Sequence, residues 1–172
     1  MGFTKTAISS LFILLLLSTA ASAAAPVSPF CGTADPGISQ TMCTQMVGCA
    51  KTWPEAMTNA INAAAEKAKG GIPIAHGVGK KLPPGLLPQS KESIVLTCQE
   101  AYDWILSLFD DCRELVKDDP TLGLKRRISS MTFSDCTGVL SEFNVSVPET
   151  EALNEELHRL AGILFAVLDK KP

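Results

Sequence analysis

Histidine and aromatic residues are scarce in this chain: 172 residues hold two histidines, one tyrosine and two tryptophans. His76 falls in a stretch rich in proline and glycine, and His158 on the polar side of a helical repeat, so neither has the company that a general base needs. No G-x-S-x-G, H-E-x-x-H or phosphate-cradling glycine motif is present, and the reading is of a protein that is not an enzyme. No C-x-x-C pair suggests zinc. The acidic clusters at Asp110 and Asp111, Asp118 and Asp119, and Glu149 and Glu151 lack the spacing of a calcium loop or a glycosidase pair, so neither metal nor cofactor is expected. Basic excess is also missing. The net charge of −3 argues against nucleic acid as a partner. Past the N-terminus no apolar run could cross a bilayer, so no membrane partner is expected, and no stretch alternates like a strand.

At the N-terminus stands what the rest lacks. Lys5 precedes the apolar run 11–17, followed by small residues with Ala21-Ser22-Ala23 as an A-x-A cleavage site. Residues 1–23 read as a secretory signal peptide, too short for a membrane span, leaving a mature domain of residues 24–172 in an extracellular location. All six cysteines follow that cleavage site, an even number that predicts disulfides in an oxidising compartment. Asn144-Val145-Ser146 is a sequon compatible with glycosylation of Asn144.

The longest helical signal lies at residues 90–118, where Ile94, Cys98, Ala101, Ile105, Leu108, Cys112 and Leu115 step by four and three. Val95, Tyr102, Phe109 and Val116 widen this stripe to one broad face. Before it, residues 24–51 carry Cys31, Cys43 and Cys49 among helix breakers and predict a short bridged hairpin. Thr52-Trp53-Pro54-Glu55 reads as a capping box opening an alanine-rich helix, with Met57, Ile61, Ala64 and Ala68 on its buried face and Gly70-Gly71 as its stop. Residues 72–89 hold too many breakers for a helix and predict an ordered loop whose Ile72, Ile74, Leu82, Leu86 and Leu87 cover one end of the core. After the Asp118-Asp119-Pro120 turn, a third helix carries Leu124, Ile128, Met131, Cys136, Val139, Leu140 and Phe143. Ser146-Val147-Pro148-Glu149 repeats the capping-box pattern, and Leu153, Leu157, Leu160, Leu164 and Val167 form the stripe of a fourth helix.

Four amphipathic helices with mostly short connections predict an all-α fold, an up-down-up-down four-helix bundle at residues 52–172 with a disulfide-bridged helical hairpin at residues 24–51. Counting back from the Pro120 turn puts Cys98 and Cys136 at similar heights on neighbouring helices. Cys112, nearer that turn, matches Cys49 at the entrance to the first bundle helix, which leaves Cys31 for Cys43.

Two surface features suggest partner contacts. Trp104 lies at the edge of the central stripe, where an aromatic anchors a partner or, more often, packs on a neighbouring helix. Lys125-Arg126-Arg127 offers cations to an acidic surface, although such runs are mostly just solvated.

The order and spacing of these elements resemble the plant invertase and pectin methylesterase inhibitor family over essentially the whole mature chain. The carriers are Cys31 to Cys43 (CGTADPGISQTMC), Cys98-Gln-Glu-Ala-Tyr102 with Leu106 to Asp110 after it, and Ile128-Ser-Ser-Met-Thr132 to Cys136 with Val139 to Phe143 after that. The closing helix, Leu157 to Leu168, also suits it. The resemblance implies a secreted protein of the plant cell wall, or apoplast, that occludes the substrate cleft of pectin methylesterase or acid invertase without covalent chemistry, as a 1:1 complex. In the invertase-inhibiting branch a Pro-Lys-Phe turn enters the enzyme's active site. Here the matching turn reads Pro120-Thr121-Leu122, which points to pectin methylesterase and makes Asp118, Pro120, Thr121, Leu122 and Lys125, with Trp104, the candidate partner-binding residues. Cys49 and Cys112 are an addition to the family pattern. The rival reading is a secreted bundle that carries an apolar ligand under the 72–87 loop, with no inhibitory activity.

Overall fold

The structure is a computed structural model that describes residues 26–32, 39–131 and 135–172, so the expected signal peptide, 1–23, lies outside the described residues. Those residues are helical, with no strand among them. They form α1 (Gln40–Val47), α2 (Trp53–Lys69), α3 (Ile72–Gly77) with a 3-10 turn at Val78–Lys80, α4 (Pro88–Asp118), α5 (Leu122–Ser130), α6 (Asp135–Glu142) and α7 (Pro148–Leu168). At 31 residues α4 is the longest. It packs on α2, α3, α5 and α6, while α7 packs on α2, α5 and α6, so the contacts close into a ring around one core.

The stripe expected on α4 is the face that is buried. Ile94, Cys98, Ala101, Tyr102, Ile105, Leu108, Phe109, Cys112 and Val116 are shielded, with Val95 and Leu115 at its half-buried margins. Its helix starts two residues earlier than the pattern suggests, because Pro88 lacks the N–H that a first-turn residue would leave unpaired anyway. On α2 the cap is as read: the Thr52 hydroxyl accepts the Glu55 N–H at 3.4 Å, and Gly70 follows the last turn. The Glu55 carboxylate reaches one residue further back than in a capping box, accepting the N–H of Lys51 at 2.9 Å. Ala56, Ala60, Ala64 and Ala68 are buried, and such small side chains let neighbouring helices approach closely. Trp53 is fixed by a 2.9 Å hydrogen bond from its Nε1 to the Val167 carbonyl of α7.

Three local expectations change. Residues 72–89, expected as an ordered loop without a helix, are partly helical: α3 and the 3-10 turn occupy the first half, and Ala75, Val78 and Leu82 enter the core while Leu87 stays exposed. Proline at the second position of α3 is harmless, and Gly71 just ahead of it leaves room for the Leu153 side chain of α7. The third helix is two helices, α5 and α6. At the end of α5 the Ser129 and Ser130 hydroxyls bond back to the carbonyls of Lys125 and Arg126, a local competitor of helix propagation. Residues 132–134, including Thr132 of the family segment, lie outside the described residues. Finally, Ser146 does not cap α7. Val147 is the N-cap, and the Ser146 hydroxyl donates instead to Glu151 at 2.8 Å.

Two disulfides are present. Cys98–Cys136 ties α4 to α6, with Cα atoms 4.2 Å apart, and Cys31–Cys43 ties the turn at residues 28–31 to α1, with Cα atoms 5.8 Å apart. In the chain-entropy model loops of these lengths are worth about 4 and about 3 kcal/mol respectively. Of the N-terminal helical hairpin the described residues contain one helix, α1, and residues 33–38 lie outside them. The third expected bridge is absent: Cys49 and Cys112 are both free thiols. Matching heights on helices leaves the facing direction open, and here the two sulfurs face different surroundings. Cys49 is exposed in the connection before α2, whereas Cys112 is fully buried, and its neighbour Arg113 reaches Asn62 in the middle of α2 rather than its entrance.

Packing at the α2–α3 junction depends on the absence of a side chain at Gly71, where an added Cβ would overlap the Leu153 side chain of α7. Gly71→Ala is expected to lower unfolding stability by about 1–3 kcal/mol. In denaturant titrations the Gly71→Ala/Leu153→Ala double variant should cost less than the sum of the two single changes; strict additivity would mean that the overlap is relieved at no cost. Burial pushes the Cys112 thiol up to about 12, against the opposing pull of the Arg127 and Arg113 charges. Maleimide should therefore label Cys49 alone in the native, unreduced protein, and both thiols in denaturant. Failure of either thiol to react in denaturant would show that the two are bridged.

Candidate partner-binding surface

The turn between α4 and α5 is held by one carboxylate. Pro120 excludes helical geometry from the residue before it, and Asp119 accordingly leaves the helix at φ −145°, ψ 74°. Its side chain then accepts from the Thr121 hydroxyl at 3.0 Å, the Thr121 N–H at 3.4 Å and the Gly123 N–H at 2.9 Å, while its carbonyl accepts the Leu124 N–H. The Thr121 hydroxyl, followed by the two backbone donors, holds the Asp119 carboxyl below its ordinary range. A Cβ at position 123 would sit 2.5 Å from the Asp119 Oδ2, so only glycine permits this approach.

Two grooves open beside the turn. One, of about 480 Å³, runs between the turn and the end of α7, with Pro120, Thr121, Leu122 and Lys125 on one wall and Leu168 and Lys171 on the other. The second, of about 650 Å³, lies across Pro120 and is lined by Phe30, Trp53, Val116 and the tail residues Lys170 to Pro172. Thus four of the six expected partner-binding residues meet in one place. Asp118 is exposed beside them but lines neither groove, because it is the last residue of α4 and Asp119 takes the capping role.

Trp104 belongs elsewhere. It stands on the outer face of α4, about four helical turns from Asp118, and the packing commoner for such a residue is not found: 47 % of it is exposed. Leu96, two turns earlier, is 49 % exposed, and the acidic Glu100 and Asp103 flank the pair. Leu96 was not singled out from the sequence, although a signal existed, since it falls outside the Ile94–Cys98 stripe. Also missed were Trp53 and the lysine pair after α7, whose meeting is a tertiary event.

No family model, no curated protein and no solved structure matches this chain.

The cations expected to meet an acidic partner divide. Lys125 and Arg126 are exposed, whereas Arg127 pairs with Asp111 across the α4–α5 contact at 3.2 Å. Asn144 is exposed at the end of α6 in a left-handed conformation, φ 52°. There its N–H bonds to the Ser141 carbonyl and that of Val145 to the Leu140 carbonyl, the paired bonds of a Schellman motif, so its amide is free to point outward. His76 and His158 are exposed on α3 and α7 and line neither groove. Among the described residues no cluster of three or more metal-ligating side chains occurs.

Because the Asp119 carboxyl is lowered in the folded state, its contribution to stability is complete above the pKa of the unfolded chain and is lost as pH falls through the folded value. The exposed Glu149 carboxyl, lowered chiefly by its 2.6 Å hydrogen bond from Lys81, acts with the same sign. Asp119→Asn should flatten the acid limb of thermal stability measured from neutral pH to below the ordinary carboxylate range. Gly123→Ala, which displaces the carboxylate, should flatten it likewise. An acid limb unchanged in both variants would show that the latch carries none of it.

Proposed function

We propose that this protein is a secreted proteinaceous inhibitor of a cell-wall pectin methylesterase, which it blocks by laying one helical face across the enzyme's substrate cleft. The observation that carries the reading is the pair of bridges, Cys31–Cys43 ahead of α2 and Cys98–Cys136 between α4 and α6, which supports the resemblance to the inhibitor family. We infer that α2, α4, the α5 and α6 pair, and α7 are the four arms of an up-down-up-down bundle. The ring of contacts among them and the short turns at Asp119 and Asn144 support this arrangement. Secretion is supported by the signal-peptide pattern read at residues 1–23 and by the two disulfides. No helix of the described residues is long and apolar enough to cross a membrane.

Leu96 and Trp104 favour the outer face of α4 as the docking surface. A half-exposed tryptophan on a rigid helix loses little conformational entropy when a partner covers it, and tryptophan is the residue most enriched at binding hot spots. The invertase reading rests instead on the Pro120 turn, where Thr121 and Leu122 replace the family's lysine and phenylalanine.

Oxidatively folded mature protein is expected to inhibit pectin methylesterase at a 1:1 ratio and to leave acid invertase active. Trp104→Ala should weaken inhibition about tenfold or more, equivalent to about 1.4 kcal/mol, while Leu122→Ala has little effect. Assays across acidic to neutral pH with several isoforms of both enzymes decide the matter: inhibition of neither rejects the proposal, and inhibition of invertase that is lost in Leu122→Ala transfers the site to the Pro120 turn.

A further inference from the structure

The groove beside Trp53 has a chemical character that the inhibitor reading does not use. Phe30, Trp53, Val116 and Pro120 give it an apolar floor, brought together from the N-terminal turn, the start of α2 and the end of α4. The charged residues that line it are Lys51, Lys170 and Lys171, with no carboxylate side chain among them, although acidic residues outnumber basic ones in the chain. None of the three lysines forms an ion pair in the described structure. Two acidic residues beside the lining lysines have other roles: Glu55 accepts the Lys51 N–H at the start of α2, and Asp169 lines the neighbouring groove.

The cations are also placed. The Lys170 stem crosses the backbone at Gly32 so closely that a Cβ there would meet its Cε at 2.8 Å, and the Lys171 Nζ stands 6.0 Å from the centre of the Trp53 ring. That ring is held by its hydrogen bond to Val167 and is 5 % exposed, so the groove meets a fixed aromatic edge. A volume of about 650 Å³ falls within the range of small-molecule sites.

We propose that this groove binds a small organic acid, an apolar aromatic or alkyl body carrying one anionic group. The body lies on Phe30, Trp53 and Val116, and the acid group meets Lys170 and Lys171, with Lys51 across the mouth. Contact with the apolar floor supplies affinity, and the lysines discriminate against neutral analogues. The site is separate from the α4 face, so its failure would leave the inhibitor reading standing, and the reverse.

The test uses the full mature chain as Trp104→Phe, which leaves Trp53 as the sole tryptophan. Titration with 8-anilinonaphthalene-1-sulfonate should show saturable energy transfer from Trp53 at one probe per chain, displaced competitively by dodecanoate. Binding should weaken at least tenfold in Lys170→Glu/Lys171→Glu, both exposed positions, and also on raising the ionic strength. N-phenyl-1-naphthylamine, the same body without the acid group, should bind at least tenfold more weakly. Equal binding of the neutral analogue, indifference to the lysine reversals, or absence of saturable transfer from Trp53 would each overturn the proposal.

Discussion

Burial of one continuous face of α4 is the interaction on which the other elements depend. A helix with an apolar stripe from Ile94 to Val116 depends on its neighbours, since most helical stability in proteins comes from covering an apolar face. α2, α3, α5 and α6 pack directly on it, α7 closes the ring behind them, and each element contributes differently. Alanines on α2 allow a close approach, the short α5 and α6 bring Leu124, Ile128 and Leu140, and α7 brings the large side chains of Leu157, Leu160 and Leu164. The Cys98–Cys136 bridge fastens α4 to the partner divided into two short pieces, where propagation of a single helix provides least support.

The same architecture gathers several chain segments at one end. The Trp53 bond to Val167 joins the first turn of α2 to the last turn of α7, and the Asp119 latch turns the chain from α4 into α5 beside them. Two polar arrangements, each of few atoms, therefore set the shape of both end grooves. The outer face of α4 has no such devices and carries Leu96 and Trp104 on regular helix, which makes it rigid without any added constraint. An acidic, partly apolar helix face and a basic, apolar-floored groove thus occupy separate parts of one molecule.

The cysteines illustrate how burial decides chemistry. Four are used to hold segments together, and two remain thiols in opposite circumstances. Cys112 belongs to the core stripe, where desolvation suppresses its thiolate and makes it act as a small apolar residue. Cys49 stands in a solvent-facing connection just outside α2.

Much of this was legible in the residues because the governing physics is local or periodic. The 3.6-residue repeat located α2, α4 and α7, the Thr52 cap and Gly70 bounded α2, and Pro120 forced the turn that Asp119 then latched. Height along the helices was enough to pair Cys98 with Cys136, since both lie on stripes that face the core. Tertiary structure alone decided the rest. Whether the ordered segment 72–89 is loop or helix depends on the hydrophobic ends it covers, and the core drew Ala75, Val78 and Leu82 into α3 and the turns that follow. Axial height could not reveal that Cys49 and Cys112 point to different surroundings, because azimuth is set by packing. Nor could it reveal that Phe30, Trp53, Val116 and Lys170 share a groove, since no local propensity links positions so far apart in the chain. Periodicity by itself determined which faces are apolar; only the assembled helices determined which of those faces, and which charges beside them, remain open to a partner.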